Sequence, residues 1–380
     1  MNNLERYNQF ISQSVQRFDQ KKDMFRRIRL EPEWIARADE FKNIGAVLGK
    51  RGYNQEGYAL TASSWYVEDV FASGNSGATE KGLYSNRSLI PEGAGMPPGM
   101  RIDTQDKAEV TKRIKRAAKL YGASLVGVCE VNERWIYSHS YNDRTNEHRE
   151  IEFPEGMKYA IAIAIEMDYK LIQTVPSSAG CASTGTAYSR MAFTSGLLAE
   201  FIRNLGYRAV ASGNNTGLSI PIAIEAGLGE IGRNGILITE EFGPRVRLCK
   251  VFTDIPLVPD GPKYIGVSEF CNICRRCADK CPSRAITKGE RSWEGATESN
   301  NPGVFKWYIN PESCFSFWAA SKTDCAVCIR VCPFNQKKGK MHRFFHFLIR
   351  RRNPLLNRLI LHFISISGHG KRKNPETAWD

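Results

Sequence analysis

Apolar residues change their spacing along residues 106–257 in a way that predicts alternating helices and strands. Val110, Ile114 and Ala118 recur at helical spacing, and Gly122 ends that pattern. A second helix is predicted over 187–207. Short apolar runs predict strands at 124–131, 158–168, 207–213, 235–239 and 246–257. These elements predict an α+β fold with an α/β-layered core, whereas residues 1–105 show no clear periodicity and are expected to be irregular.

The composition is that of a globular protein, and its charge lies at the two ends. Hydrophobic residues make up 42% and charged residues 24% of the 380 residues, and the net charge is +13. Residues 335–380 hold eleven Lys or Arg against two acids, and residues 1–30 hold seven against three. The remainder is neutral, so no basic stripe for nucleic acid is expected on the folded core.

Eight of the eleven cysteines fall between residues 271 and 332 in two related runs. FCNICRRCADKCP has the spacing C-x2-C-x2-C-x3-C-P of bacterial ferredoxins, and the second run ends in C-x2-C-x3-C-P after a leading cysteine displaced by ten residues. Two 4Fe–4S clusters are therefore predicted, with the fourth cysteine of each run ligating the other cluster. The two ligand sets are Cys271, Cys274, Cys277 and Cys332, and Cys281, Cys314, Cys325 and Cys328.

Disulfides and zinc are the alternatives for these cysteines. A disulfide framework is typical of small secreted chains, and a zinc site often includes histidine, which is absent between residues 149 and 341. Cys129, Cys181 and Cys249 have apolar or small neighbours and are expected to be buried as small hydrophobic residues.

Residues 212–235 form a glycine- and asparagine-rich segment around a short apolar run. Its GLGEIG piece follows a helix-like run rather than a strand, so a dinucleotide-binding site is disfavoured. Glycine lets the backbone approach a bulky ligand closely, which favours a surface for another large cofactor.

The stretch GRNGILITEEFGPRVRLCKVFTDIPL, followed by the two cysteine runs, resembles the corrinoid and iron–sulfur dependent reductive dehalogenases. KRIKRAAKLYGASLVGVCEVNERWIY also resembles an internal signature of that family. The resemblance covers roughly residues 40–335. It implies a cobalamin-type cofactor in a nitroreductase-like core, and the reduction of an organohalide by two electrons and a proton. None of the six histidines has aspartate two positions before it, which agrees with a corrinoid bound base-off.

The resemblance also implies roles for individual residues. The proton-donating tyrosine of the family corresponds to Tyr188, its polar pocket residue to Asn214, and its arginine to Arg247, with Arg245 as the alternative. Without the family, Tyr188 would be interpreted as a packed aromatic residue of a helix face. The candidate corrinoid-binding residues are Thr184, Thr216, Ser219, Pro221, Gly229, Gly232 and Asn234.

The resulting division of the chain has four parts. Residues 1–105 are expected to contribute to the substrate pocket, 106–265 to form the corrinoid-binding core, 266–340 to form a ferredoxin-like domain, and 341–380 to form a basic amphipathic tail. Four aromatic residues are candidate walls of the substrate pocket: Trp65, Tyr66, Trp293 and Trp318.

The tail contains an apolar face next to clusters of basic residues. Asn353 and Pro354 are a favourable N-cap and first residue for a helix whose apolar face would consist of Leu356, Leu359, Ile360, Phe363 and Ile364. This helix could dock on a membrane surface or a membrane-anchor subunit, or it could pack on the protein's own core. His342 and His346 have metal-ligand spacing but lack a third ligand, so they are expected to be structural.

The N-terminus MNNLERYNQF shows neither an apolar segment nor the twin arginine that the family commonly carries. The sequence as given is therefore expected to be cytoplasmic or peripheral on the membrane, with the exported face as the alternative if a signal was removed. A small organohalide and a low-potential electron donor are the expected partners. Two other functions stay open, an epoxyqueuosine-reductase-like corrinoid enzyme and a ferredoxin-like electron-transfer subunit.

Overall fold

The computed structural model describes residues 3–72, 82–84, 99–142, 145–337 and 339–379. The helices in these ranges are α1 (Asn3–Asn8), α2 (Met24–Arg27), α3 (Pro32–Lys42), α4 (Gln55–Ser64), α5 (Lys107–Leu120), α6 (Tyr169–Thr174), α7 (Ser178–Asn204), α8 (Ser219–Glu225), α9 (Val267–Ile273), α10 (Arg276–Asp279), α11 (Pro311–Ser321), α12 (Val327–Arg330), α13 (Lys340–Arg350) and α14 (Pro354–Ile366). The strands are β1 (Leu125–Glu130), β2 (His139–Asn142), β3 (Glu147–Glu150), β4 (Tyr159–Glu166), β5 (Ala209–Ser212), β6 (Glu230–Ile231), β7 (Leu237–Ile238) and β8 (Val246–Thr253).

The core is an antiparallel sheet of four strands in the order β1-β4-β8-β5. Successive side chains of a strand point to opposite faces, so the alternating isoleucines and alanines of β4 serve two different cores. The isoleucines pack with α5 and α7, and the alanines pack with α8. The two sets are Ile161, Ile163 and Ile165 on one face, and Ala160, Ala162 and Ala164 on the other. The predicted layered α+β fold is therefore confirmed.

Local capping explains where the predicted helices begin. Asp106 caps α5 by accepting a hydrogen bond from the Glu109 amide at 3.0 Å, and Gly122 follows the helix with φ of 112°. Helix α7 begins at Ser178, nine residues before the predicted start, because Ser177 caps it through the Gly180 amide at 3.0 Å. Its first turns are rich in small residues and therefore lack a readable apolar period.

Two expectations about the core and its surroundings were wrong. Residues 1–105 are not simply irregular, since they include α3 and α4, and α4 packs along α7. The strand predicted at 235–239 does not join the main sheet; its centre forms β7, which pairs only with β6 among the strands described.

The cysteine runs lie on and between short helices α9 to α12, beneath the C-terminal helices. As predicted, Asn353 caps α14, through the amides of Leu355 and Leu356. Ile360 and Ile364 of α14 are buried in the core around Phe270. Four other apolar side chains of α14 are exposed: Leu355, Leu359, Phe363 and Ile366. The predicted apolar face is thus divided between the protein core and the surface. In the described part of the chain, no helix has the length and apolar character needed to cross a bilayer.

Candidate active site and cluster sites

The structure brings the eight cysteines of the two runs together as two quartets. The first quartet lines one small pocket and consists of Cys271, Cys274, Cys277 and Cys332. The thiols of the second are electrostatic neighbours of one another: Cys281, Cys314, Cys325 and Cys328. None of the eleven cysteines forms a disulfide, and Cys129, Cys181 and Cys249 are buried as expected. In each quartet three cysteines come from one run, and the fourth is the last cysteine of the other run. Two-cluster ferredoxins share this exchange.

A cavity of about 1230 Å³ lies between the sheet, the N-terminal helices and the second cysteine quartet. Sites for drug-sized ligands occupy ~300–1,000 Å³, so this cavity has room for a large cofactor and a small substrate together. Its wall combines Tyr188 of α7, Arg247 of β8 and Asn214, which follows β5. Trp318 of α11 and Asp324, next to Cys325, complete the wall beside the cluster sites.

Tyr188 is the centre of a polar group at this wall. The amide Nδ2 of Asn214 donates a hydrogen bond to its hydroxyl oxygen at 2.8 Å. The guanidinium carbon of Arg247 lies 5.6 Å from the Tyr188 ring centre, and Arg247 donates to the hydroxyl of Thr184 at 3.4 Å. The Tyr188 oxygen therefore lies beside a hydrogen-bond donor and a cation on the cavity wall.

Trp65 fixes the other side of Tyr188. The two rings stack with centroids 4.8 Å apart and an interplanar angle of 28°. This contact requires a close approach of α4 and α7 at Gly185, where an added Cβ would lie 2.5 Å from Cδ1 of Trp65. The glycine therefore allows the indole to reach the tyrosine one turn further along α7.

Arg245 and Arg247 have different roles in the structure. Arg245 is buried and donates to Asn335 at 3.0 Å and to Glu166 at 2.6 Å, which joins the sheet to the cluster domain. Arg247 lines the cavity, so it is the arginine that can meet a substrate. Of the four aromatic candidates, Trp65 and Trp318 line the cavity. Tyr66 and Trp293 are not among its lining residues and are exposed.

The candidate corrinoid-binding residues fall into two groups. Thr184, Ser219 and Pro221 line the cavity. The others, which we expected there, lie elsewhere: Thr216, Gly229, Gly232 and Asn234.

Their placement has a physical reason in each case. The carbonyl of Thr216 accepts the amide of Tyr137 at 2.9 Å, which ties this residue into the backbone. An added Cβ on Gly229 or Gly232 would collide with Ile238, so both glycines serve the β6–β7 hairpin rather than a ligand. Asn234 lines the small pocket of the first cysteine quartet.

Sequence reasoning missed Lys250, whose ammonium group holds the loop that carries Asn214. Lys250 is buried and donates to the carbonyls of Gly213 and Gly217 and to the hydroxyl of Ser219. Burial lowers the pKa of Lys250 to about 7. A charged residue in a strand gives no local signal of this role, because its acceptors come from a separate loop.

Glu68 is a second residue at the cavity that the sequence did not indicate. Burial raises the pKa of its carboxyl group to about 7, opposed by a hydrogen bond from the Tyr84 hydroxyl at 3.1 Å. The carboxyl group lies on the same wall as Trp65.

Several buried polar atoms on the cavity wall have no hydrogen-bond partner among the described residues: Arg247 Nε, Trp307 Nε1, Trp318 Nε1 and Asp324 Oδ1. Buried polar groups are normally satisfied, so this wall is suited to a ligand with many polar side groups. A corrinoid has such groups around a large ring, and the cavity volume and the unsatisfied atoms both fit it.

Comparison with known proteins agrees with this geometry. The family model of a 4Fe-4S dicluster domain matches residues 270–336. The tetrachloroethene reductive dehalogenase of Sulfurospirillum multivorans is 39% identical over 378 residues, covering 89% of this chain and 72% of the relative. The tetrachloroethene reductive dehalogenase of Desulfitobacterium hafniense is 35% identical over 402 residues, covering 88% of this chain and 72% of that relative.

A solved reductive dehalogenase, described with a mechanism for B12-dependent dehalogenation, superposes with a TM-score of 0.75 at 22% identity. The alignment covers 98% of this chain and 49% of that one, so this chain spans about half the length of the solved chain. At this identity the superposition supports the fold.

The fold and the cysteine quartets define a two-cluster oxidoreductase with a large cofactor cavity beside its second cluster. The chain belongs to the corrinoid and iron–sulfur dependent reductive dehalogenases. Its cofactors are accordingly a corrinoid and two 4Fe–4S clusters. Among the functions that the sequence left open, family membership supports the dehalogenase.

Proposed function

We propose that this chain replaces a halogen of a small organohalide with hydrogen. The reaction consumes two electrons and one proton and releases a halide ion, R–X + 2e⁻ + H⁺ → R–H + X⁻. When bound, the clusters and the corrinoid supply the low-potential electrons. The observation that carries the proposal is the polar group around Tyr188 on the wall of a cofactor-sized cavity.

A chlorinated ethene is the substrate class that we propose. Two relatives that are 39% and 35% identical over most of this chain are tetrachloroethene reductive dehalogenases. The part of the wall next to Tyr188 contains the flat indole of Trp65, which suits a small planar apolar molecule.

Tyr188 would donate the proton to carbon. Because Asn214 donates to the tyrosine oxygen at 2.8 Å, the hydroxyl hydrogen is left to point elsewhere, and the cavity is the open direction. The O–H bond breaks as the new C–H bond forms, and the phenolate left behind accepts from Asn214 and faces the Arg247 cation. The unpaired Nε of Arg247 is also a donor for the departing halide.

The substitution Tyr188→Phe tests this role. It removes the hydroxyl and keeps the ring that stacks on Trp65. We expect turnover of tetrachloroethene to fall by at least a hundredfold, with cobalt and iron per chain unchanged. Tyr207→Phe is the matched control, because the Tyr207 hydroxyl contacts Ile102 at 3.2 Å outside the cavity lining. Near-normal turnover in Tyr188→Phe with full cofactor content would contradict the proposal.

We further propose that α14 docks on an anionic membrane surface and keeps the protein peripheral to the membrane. Leu355, Leu359, Phe363 and Ile366 lie within one exposed part of the helix, at 47–70% exposure. Basic residues precede and follow this helix at 350–352 and 371–373. Exposed apolar side chains flanked by basic residues are typical of helices that lie in the headgroup region.

Vesicle flotation tests the docking. The holoenzyme should float with vesicles that contain anionic lipid and should float less as salt rises. The double substitution Leu359→Glu and Phe363→Glu should abolish flotation, whereas Leu120→Glu on α5, at a residue of 73% exposure, should not. Equal flotation of both variants would contradict a role for α14, and binding to a membrane protein but not to lipid would contradict the lipid surface.

A further inference from the structure

Three potential metal ligands meet on one face of the β2–β3 hairpin. Asp19, His139 and His148 each offer a ligand atom, and these atoms all lie within 4.8 Å of one another. Nε2 of His148 is 3.0 Å from Oδ1 of Asp19, and the two imidazole rings have centroids 4.7 Å apart. None of the three residues is among those that line the large cavity, and none belongs to a cysteine quartet.

The fold fixes each of these residues by backbone contacts. His148 pairs with Tyr141 across the hairpin, and His139 lies two positions before Tyr141, so both histidines project from one face. Asp19 forms a parallel bridge with His139 and caps the turn that follows it by accepting the Lys21 amide at 2.9 Å. The ligands therefore come from two segments that are already held together.

The second nitrogen of His139 also has a partner. Its Nδ1 lies 3.1 Å from the Ser138 hydroxyl oxygen, which leaves Nε2 for a metal. Metal-ligating histidines usually place the other ring nitrogen against such an oxygen, because this fixes the tautomer and the ring orientation. A hydrogen bond between Asp19 and His148 alone would account for the position of the His148 ring but not for that of the His139 ring.

We propose that Asp19, His139 and His148 form a binding site for a divalent transition metal ion of the Zn²⁺ class. Zinc ligands lie about 2.0–2.2 Å from the ion in tetrahedral geometry, which places them roughly 3.3 Å from one another. The 3.0 Å separation of the Asp19 and His148 atoms needs only a small adjustment to reach this arrangement. Two imidazoles and one carboxylate leave a fourth position for water.

The site lies next to the wall of the active-site cavity. Phe18 and Gln20, on both sides of Asp19, line that cavity, and so does Tyr137, two residues before His139. The hydroxyl of Tyr137 donates to the carbonyl of Asn214 at 3.1 Å. Phe18 packs on Tyr137 with ring centroids 6.2 Å apart. A bound ion would therefore clamp the Asp19 segment to the segment of Tyr137, which contacts the residue bonded to Tyr188.

Zinc binding to the holoenzyme is the test. Protein loaded with corrinoid and clusters is dialysed anaerobically against Zn²⁺, and Zn, Co and Fe per chain are measured. The wild type should bind one additional zinc ion per chain, and His148→Ala and Asp19→Asn should lower this to zero. His362→Ala, at an exposed histidine of α14, should still bind one. No zinc in the wild type, or the same zinc content in all variants, would overturn the proposal.

The ligand type is checked by X-ray absorption at the zinc edge. We expect nitrogen and oxygen ligands near 2.0–2.1 Å only, whereas a Zn–S distance of about 2.3 Å would place the ion in a damaged cluster site and overturn the proposal. If a variant fails to fold, the wild type still decides, because Zn²⁺ should raise its melting temperature and a chelator should reverse the rise. Absence of this shift in protein with zinc bound would contradict the clamp.

Discussion

The ammonium nitrogen of Lys250 lies 2.6 Å from the carbonyl oxygen of Gly213, the residue directly before Asn214. The same nitrogen donates to the Gly217 carbonyl at 2.7 Å and to the Ser219 hydroxyl at 3.0 Å. All three donors of the lysine are therefore used within one loop. The position of Asn214 against Tyr188 depends on a buried lysine in the central sheet.

Replacing Lys250 by methionine should loosen this loop. Methionine keeps the apolar stem but leaves the buried Gly217 carbonyl unpaired and leaves the Gly213 carbonyl with only the Ser219 hydroxyl at 3.5 Å. Each buried group left unsatisfied costs about 1–3 kcal/mol, partly offset by removal of the buried amine. We expect a net loss of roughly 1–3 kcal/mol in the free energy of unfolding, measured by denaturant titration. Lys158→Met, at an exposed lysine beside β4, should change stability little, and equal values for both variants would contradict the role of Lys250.

Replacing Asn214 by leucine should reduce turnover while leaving the cofactors in place. Leucine removes the donor 2.8 Å from the Tyr188 oxygen, and the loss of one donor to a developing anion lowers kcat by roughly 10²–10³-fold. The measurement is steady-state turnover of a chlorinated ethene together with cobalt per chain. Asn215→Leu, at a neighbouring residue of the same wall, is the control, and a similar loss there would argue against a specific role for Asn214.

Arg233 should set the reduction potential of the first cluster. It is buried, donates to the carbonyl of Cys271 at 3.1 Å, and lies over the Trp307 ring at 4.6 Å. A cation beside a cluster stabilises the reduced form, which carries more negative charge, so Arg233→Gln should lower the potential by roughly tens of millivolts. Redox titration followed by electron paramagnetic resonance measures the shift, and Arg113→Gln, at an exposed arginine of α5 outside the cysteine runs, should leave the potential unchanged.

His346 should make the protein less stable in mild acid. Burial, with His342 and Arg350 nearby, lowers the pKa of His346 to about 4 from its ordinary 6.5. Between these values the unfolded chain binds more protons than the folded one. The contribution of neutral His346 to the free energy of unfolding is therefore fully present above pH 6.5. It decreases as the pH falls below 6.5 and is lost completely near pH 4.

At pH 5 the expected loss is roughly 2 kcal/mol relative to pH 7, at about 1.4 kcal/mol per pKa unit. The free energy of unfolding of the wild type and of His346→Gln is compared at the two pH values. The variant should lose less stability than the wild type on acidification. His362→Gln, at an exposed histidine, should behave as the wild type does, and a pH dependence in His346→Gln as steep as in the wild type would exclude His346 as the cause.

Features with local signals were predictable from the sequence. The cysteine spacing indicated which thiols would gather, because it matches the pattern of two-cluster ferredoxins, in which the fourth cysteine of each run ligates the other cluster. Helices α5 and α14 were predictable from a capping residue followed by a regular apolar period, as Asp106 and Asn353 show. In the two helices the interacting atoms lie within a few residues of one another, whereas the exchange of a cysteine between the runs follows from a known spacing pattern.

Features that depend on distant segments were not predictable. Gly229 and Gly232 suggested a cofactor surface, but their missing side chains make room for Ile238 in a hairpin. The glycine pattern is the same whether a ligand or the chain's own residues approach. The sequence around Lys250 and Glu68 did not indicate a role for either residue. Burial shifts the pKa of both groups, and burial depends on the packing of several elements.

Arg247 lies between a cysteine of the second quartet and the tyrosine that we propose as proton donor. Its charge acts on the thiol of Cys328 in the second quartet and lies 5.6 Å from the ring of Tyr188. The charge of one guanidinium group would thus affect both the electron transfer from the second cluster and the proton transfer from Tyr188. A change of charge there would alter the timing of both halves of the reaction together, so the enzyme could hardly tune one without retuning the other.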